Sequence, residues 1–369
     1  MLKKRVLASA LLIMMFNSVY QYSWNVFAKG LISTDGISLI SSEGMFFIFV
    51  ILSTFSQIFG GYISDLKGPR GVGIFSAVLS ALGYSAFLYG LILPLRYILW
   101  AAGSAGEGIL YGIASNSALK WHKKERGLAV GIVSLGFGAG ATFFNPIFLQ
   151  INDIQTVGEI MTVVELIALP LLVMNLSYPE KSTGRRPLEA VLNVPFLLIY
   201  LAYAFGTVPL ISLSSSLFIL RSGVTFLIAV TLFPLMSGLG RPIMGNVSDK
   251  IGRKRTIAFA LSVVILSSLL GLTDIPLVSE ILIGFLGGAL IPLFFALVGD
   301  TVGEAFMASV TGILYTGKTI GGFMGSMVVG YVAGYGIAYA WIFMALCAVI
   351  SISLLYVESL VIRKRSITK

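Results

Sequence analysis

Arg241 and Lys318 are positive charges set deep in apolar surroundings, the first within residues 226–247 and the second within residues 310–332. On membrane-insertion scales such a charge costs about 2.5–3.5 kcal/mol at the centre of a span. Internal carboxylates, a watery cavity or a bound anion can offset that cost. The second half of the chain has no acid in the middle of an apolar run, so a bound anion is the expected compensation. Arginine grips a carboxylate with its planar fork, while lysine adds a compact, movable charge.

Glu107 is the acid best placed for chemistry in the first half. Ser104, Glu107 and Tyr111 stand at i−3, i and i+4 and share one helical face. A low-dielectric cavity disfavours a charged carboxyl. Glu107 is therefore a candidate for proton coupling, or for pairing with Lys318 or Arg241 when substrate is absent. An acid hydrogen-bonded within helix packing is the competing reading, and Glu165, nearer the outer surface, is assigned to it.

Asn17, Gln21 and Trp24 follow one another at i, i+4 and i+7, with Tyr20 and Tyr22 beside them. Polar atoms at membrane depth need partners, so this stripe is expected to face a cavity, with Gln21 and Tyr22 as substrate contacts. Near Lys318, Gly317, Gly321 and Gly325 form a stripe that either admits a neighbouring helix or leaves volume for substrate. Spacing leaves both readings open. His122, the single histidine, lies in a basic loop and reads as solvated. Cys347 is the lone cysteine, and no nucleophile–base pair, phosphate loop or metal-ligand cluster stands out. The expectation is a protein with no catalytic residue, no metal site and no cofactor, and not an enzyme.

The elements that position these residues follow from composition. Of 369 residues, 57% are hydrophobic and 11% charged, whereas soluble domains carry about 25% charged residues. Most of the surface must therefore meet lipid. Apolar runs fall at residues 6–27, 44–63, 72–91, 95–118, 128–149 and 160–176, then at 195–220, 226–247, 256–272, 281–298, 310–332 and 338–361. A spanning helix needs about 20 such residues. The first run is too long for the apolar core of a secretion signal and lacks a small-residue cleavage site, so it is read as a span.

Charge orders these runs. Lysine and arginine cluster at residues 3–5, 67–70, 120–126, 181–186, 250–255 and 363–369, while the alternate gaps hold only Lys29, Arg96 and Arg221. That segregation follows the positive-inside rule for twelve spans with both termini cytoplasmic. The formal net charge of +9 is thus a topology signal, and nucleic acid is not an expected partner.

The chain also repeats. Gly61, Asp65, Gly68 and Arg70 follow the second run, and Gly245, Asp249, Gly252, Arg253 and Lys254 follow the eighth. The fold class expected is an all-α membrane protein of twelve transmembrane helices in two six-helix pseudo-repeats. Residues 1–177 form the N-terminal half, 178–193 a cytoplasmic linker and 194–369 the C-terminal half. A midplane site between parallel repeats fits that plan.

The pattern G-x-x-x-D-x-x-G-x-[RK] resembles the signature loop of the major facilitator superfamily. It implies a cytoplasmic gate of Gly61, Asp65 and Arg70 with Gly245, Asp249 and Arg253. The first glycine of each copy would let helix ends approach, and the acids and arginines would latch them. Lys67 and Lys254 read as topology signals alone. A closer resemblance, over nearly the whole chain, is to the oxalate/formate antiporter family, related to the monocarboxylate transporters. It is carried by residues 21–27 (Gln21, Tyr22, Trp24, Phe27), by Gly108, Tyr111 and Gly112 running to Trp121, Arg126, Gly127, Leu128 and Ala129, by Gly240-Arg241-Pro242, and by Lys318.

This resemblance implies an anion carrier in which Arg241 and Lys318 bind the substrate carboxylate and Tyr111 and Tyr315 keep aromatic walls. There are departures. Leu286 and Leu290 stand where bulky aromatics are expected, which points away from oxalate itself. Ser237 stands where the monocarboxylate transporters carry the aspartate of D-x-x-x-R, and Leu99 and Trp100 replace the mid-helix arginine of many sugar and drug carriers. The expected function is alternating-access transport of a small mono- or dicarboxylate, by exchange or proton symport. The carrier is expected to be a monomer in the lipid bilayer of the cell membrane. Proton-coupled export of a cationic or amphipathic solute through Glu107 is the alternative, and a non-transporting sensor a third.

Overall fold

The computed structural model describes residues 2–122, 126–179, 193–273, 275–302 and 307–367. The expected linker at 178–193 lies outside the described residues except at its ends, as do Lys123, Lys124, Lys181, Arg185 and Arg186.

Among the described residues the apolar runs become twelve helical segments in the predicted order. The first six are Leu2–Tyr22 with Trp24–Asp35, Leu39–Lys67, Pro69–Gly83 with the 3-10 turn Tyr84–Phe87, Leu93–Trp121, Arg126–Ile151 and Ile154–Val173. The second six are Val194–Gly206 with Val208–Leu220, Gly223–Ile251, Arg253–Leu270, Pro276–Val302, Met307–Gly322 continued by the π turn Phe323–Val328 and Val329–Ala333, and Ile337–Ile367.

Starts and breaks have local causes. Ser38, Asp153 and Asn193 cap their helices, accepting from Ser41 N, Thr156 N and Phe196 N at 3.2, 3.0 and 2.9 Å. Pro209 lacks the donor that would continue the seventh segment across Thr207, so a new helix begins there. The first segment bends by 41° at Ser23. Among the described residues, eight helices are long and apolar enough to cross a membrane, or nine if that bent pair is one span. The other segments interrupt their apolar runs. Arg96 and Glu107 punctuate the fourth, three basic residues open the ninth, and a π turn divides the eleventh.

By their contacts the residues form two compact units, Met1–Ser182 with Ser214–Gly238, and Thr183–Leu213 with Leu239–Lys369. In the first unit, aromatic rings knit segments one to four together. Tyr20 stacks on Trp100 at 4.5 Å, Phe27 on Phe87 at 4.4 Å, and Trp24 lies 5.1 Å from Trp100. Residues 214–238 belong to this unit through polar bonds. The Asn25 amide donates to the Ser214 carbonyl at 2.7 Å and accepts from Phe218 N at 3.1 Å. Asn145 donates to the Val230 carbonyl at 2.7 Å.

In the second unit, Tyr203 sits edge-on to Phe294 at 5.6 Å and Phe295 edge-on to Tyr315 at 5.8 Å. The glycine stripe of the eleventh segment packs here. A Cβ on Gly317 would meet Tyr203 at 3.0 Å, on Gly321 the Ala204 carbonyl at 2.9 Å, and on Gly325 the Val208 carbonyl at 3.0 Å. Of the two readings left open by spacing, close helix approach is the one these contacts express.

Candidate functional site

Arg241 and Lys318 both lie in the second unit and are 5% and 3% exposed. The Lys318 ammonium donates to the Tyr315 hydroxyl at 3.3 Å and lies 5.4 Å from the Tyr315 ring centre. One helical turn separates the two residues, so the tyrosine partly solvates the charge that its own helix carries. Gly240, next to Arg241, has no room for a Cβ beside the Phe285 carbonyl. Glycine there allows the eighth segment to cross the tenth closely where the guanidinium is presented.

In the first unit, Glu107 is 2% exposed, and the Asn17 amide donates to its backbone carbonyl at 3.1 Å. Gln21 and Tyr22 are buried. The Tyr22 hydroxyl meets the Ser237 hydroxyl at 2.7 Å, and its ring stands edge-on to Phe137 at 5.5 Å. Half-buried Tyr111 meets the same Phe137 ring at 5.3 Å. Asn17, Gln21 and Trp24 of the expected stripe are all buried. The bend at Ser23 turns Trp24 into the aromatic core, where it is fully buried.

The two signature loops share one backbone device. Gly68 and Gly252 adopt φ of 90° and 95°, which side-chain-bearing residues rarely reach. In the first loop Asp65 pairs with Lys120 at 2.5 Å, and Lys120 lies 3.8 Å from the Tyr178 ring centre. The Arg70 side chain donates to the Leu176 carbonyl at 3.1 Å, and Tyr178 meets Ser64 at 3.1 Å. Burial holds the Tyr178 hydroxyl well above its ordinary titration range. In the second loop Arg253 pairs with Asp249 at 2.5 Å and with Asp300 at 3.5 Å.

Two expectations about these loops need correction. Gly61 and Gly245 are not sites of close approach. A Cβ at Gly61 would have only Asn116 at 3.9 Å, and at Gly245 nothing within 4 Å. The required glycines are Gly68 and Gly252, for φ rather than for space. Lys254 is more than a topology signal, because it pairs at 2.5 Å with Glu358, an acid with no exposed surface. An open-sided cavity of about 380 Å³ lies against this loop, lined by Arg253, Lys254, Arg255, Leu297 and Asp300 among others.

Sequence reading missed a further buried acid. Glu43 lies one residue before the apolar run expected at 44–63, yet the helix starts at Leu39 and carries Glu43 inside with no exposed surface. The Ser38 cap is the signal that could have found it. Glu165, assigned to packing, is buried and accepts from Ser80 at 2.8 Å.

Comparison with known proteins bears on the family. The pattern that defines the Major Facilitator Superfamily matches residues 6–268 and 195–367. A protein of Thermoproteus tenax described as an uncharacterized 38 kDa protein in the 23S RNA operon is 41% identical, over 90% of this chain and 90% of its own. The oxalate:formate antiporter of Oxalobacter formigenes is 28% identical over 94% of this chain and 89% of its own. Monocarboxylate transporter 13 of Rattus norvegicus is 23% identical over 80% and 73%.

Proposed function

The chain belongs to the major facilitator superfamily, and from that premise we propose that it carries a small mono- or dicarboxylate across the cell membrane by alternating access. One observation carries the reading: two cations, Arg241 and Lys318, are almost fully buried on two helices of one compact unit. Buried charge at membrane depth is costly and is retained where it works on a substrate or ion. The guanidinium supplies a two-pronged grip on a carboxylate, and the Lys318 ammonium, resting on Tyr315, supplies a charge that can swing toward it. Relatives named as an oxalate:formate antiporter and a monocarboxylate transporter support carboxylates as the substrate class.

Gln21, Tyr22 and Tyr111 are assigned as substrate contacts of the first unit, and Glu107 as the partner of a cation or a proton carrier between substrates. The loops around Asp65 and Arg70, and around Asp249 and Arg253, tie helix ends within their own units. We assign them as the cytoplasmic gate of a monomer with both termini inside. Transport runs by exchange or by proton symport.

The test is reconstitution. Purified protein is screened for thermal stabilisation by small carboxylates, since a ligand that binds only the folded state raises the melting temperature with concentration. The stabilising carboxylate is then followed as flux into proteoliposomes. Flux that disappears in Arg241→Ala and in Lys318→Ala supports the proposal. Wild-type flux of organic cations alone, dependent on Glu107, overturns it.

A further inference from the structure

Glu43 is not among the residues assigned to the substrate. It is fully buried in the second segment, and its partners are hydroxyls. Ser216 donates to Oε1 at 2.9 Å, Ser215 also bonds the carboxyl, and the two serines stand 2.9 Å apart. Oε2 is buried with no hydrogen-bond partner among the described residues. Among the described residues no cation pairs with the Glu43 carboxyl, and nearby ionisable groups have bonds of their own. Arg96 of the fourth segment pairs with Asp35 of the first at 2.5 Å, and the Tyr97 hydroxyl donates to the Ser41 carbonyl at 2.7 Å. Lys29 lies 4.9 Å from the Phe226 ring centre, and Arg221 donates to the Leu220 carbonyl at 2.6 Å.

A fully desolvated carboxylate needs a paired cation or several charge-assisted donors, and Glu43 has full burial with two serine hydroxyls and no paired cation among the described residues. The geometry around Glu43 suits the neutral acid. What it holds is also specific: Ser215 and Ser216 lie in residues 214–220, the end of the seventh segment that packs with the first unit. Asn25 grips the same stretch at Ser214 and Phe218, but an amide does not titrate. The Glu43 carboxyl, which bonds Ser215 and Ser216, does titrate.

We propose that Glu43 is a proton-binding site that clamps residues 214–220 onto the first unit when protonated and releases them when ionised. No bond to carbon forms or breaks; one proton enters on closure and leaves on release. In a carrier that alternates between states, such a site couples proton binding to closure. That coupling rests on the transport reading, whereas the clamp does not.

The experiment therefore uses no substrate. Hydrogen–deuterium exchange across residues 208–222 is followed in the full-length protein in lipid nanodiscs from about pH 5 to about pH 9, corrected for intrinsic exchange. Wild type is expected to lose protection as pH rises, while Glu43→Gln, which keeps the shape but cannot ionise, stays protected throughout. Wild-type protection that tracks Glu43→Gln at every pH overturns the clamp. Should Glu43→Gln fail to fold, Ser216→Ala is expected to lower protection in acid about fivefold, the worth of one hydrogen bond. An unchanged value overturns the proposal equally. A flat exchange profile in a protein that still carries carboxylate sinks the clamp alone; loss of flux with the profile intact sinks only the transport reading.

Discussion

The Tyr22 hydroxyl stands 2.7 Å from the Ser237 hydroxyl, one helical turn before Arg241 in the eighth segment. A tyrosine from the first segment thus satisfies a serine of the eighth. Each hydroxyl is buried and serves as the other's partner. Removing one leaves the other unsatisfied, at about 1–3 kcal/mol; removing both leaves none. Tyr22→Phe and Ser237→Ala are each expected to lower unfolding stability by about 1 kcal/mol, and the double variant by little more. Thermal or denaturant unfolding in detergent checks this, and strict additivity would separate the two residues energetically.

The two buried cations are expected not to be interchangeable. Arg241→Lys keeps the charge but loses the fork, while Lys318→Arg adds a planar group to a position that rests on Tyr315. On the carboxylate reading, Arg241→Lys weakens substrate binding at least about tenfold, because one arm of a bidentate contact is lost. Lys318→Met, which removes the charge, is expected to abolish flux. Uptake kinetics in proteoliposomes with the carboxylate found by thermal shift provide the measurement.

Lys254 and Glu358 give a prediction on stability alone. The acid has no exposed surface and its cation is 37% exposed. Cutting back the lysine leaves a buried charge whose solvation is poor, whereas removing both charges is nearly neutral. Lys254→Met is therefore expected to cost about 1–3 kcal/mol, less than a fully buried pair because water reaches the lysine. Adding Glu358→Leu should recover most of it. A double variant no better than Lys254→Met would show that the pair does not matter.

Segment order was legible in the sequence because hydropathy and the alternation of basic gaps are properties of each stretch by itself. What escaped depended on partners far along the chain or on backbone events without a marker residue. The bend at Ser23 has neither glycine nor proline at its centre, so the helical period carries through it and gives no sign that Trp24 starts a new helix. Glu358 lies 104 residues from Lys254, and local reading saw only another loop lysine. Glu43 escapes because apolarity begins at residue 44, whereas the helix begins at its cap, Ser38. Arg241, Lys318 and Glu107 were legible as candidates, since burial of a charge inside an apolar run needs no knowledge of the partner.

The glycines of the eleventh segment yield a prediction on packing. At Gly321 a methyl would press on the Ala204 carbonyl at 2.9 Å, and at Gly325 on the Val208 carbonyl at 3.0 Å. Backbone cannot yield as a flexible side chain does. Gly321→Ala is expected to destabilise by about 1–3 kcal/mol despite alanine's better helix propensity. Gly245→Ala, with open space around it, should instead be neutral or slightly stabilising. Paired melting curves decide, and equal effects at both positions would refute the packing role of the stripe.

Asp153 gives a pH dependence whose direction follows from its bonds. The Thr156 hydroxyl donates to Oδ2 at 2.5 Å and Thr156 N at 3.0 Å, and the Tyr89 hydroxyl donates to Oδ1. These donors, Thr156 first and Tyr89 next, hold the carboxyl below its ordinary value of 3.8. The same contact pushes the Tyr89 hydroxyl up. A carboxyl depressed in the folded state stabilises folding above its unfolded value and loses that contribution as pH falls through the folded one. The sixth segment should therefore keep its cap from neutral pH down to about 4 and lose it in stronger acid. Asp153→Asn keeps a capping oxygen but cannot ionise. The melting temperature of wild type relative to Asp153→Asn should thus be level near neutrality and fall below about pH 4. A difference that stays constant across that range would assign the stability of this helix start to the amide-capable geometry and not to the charge.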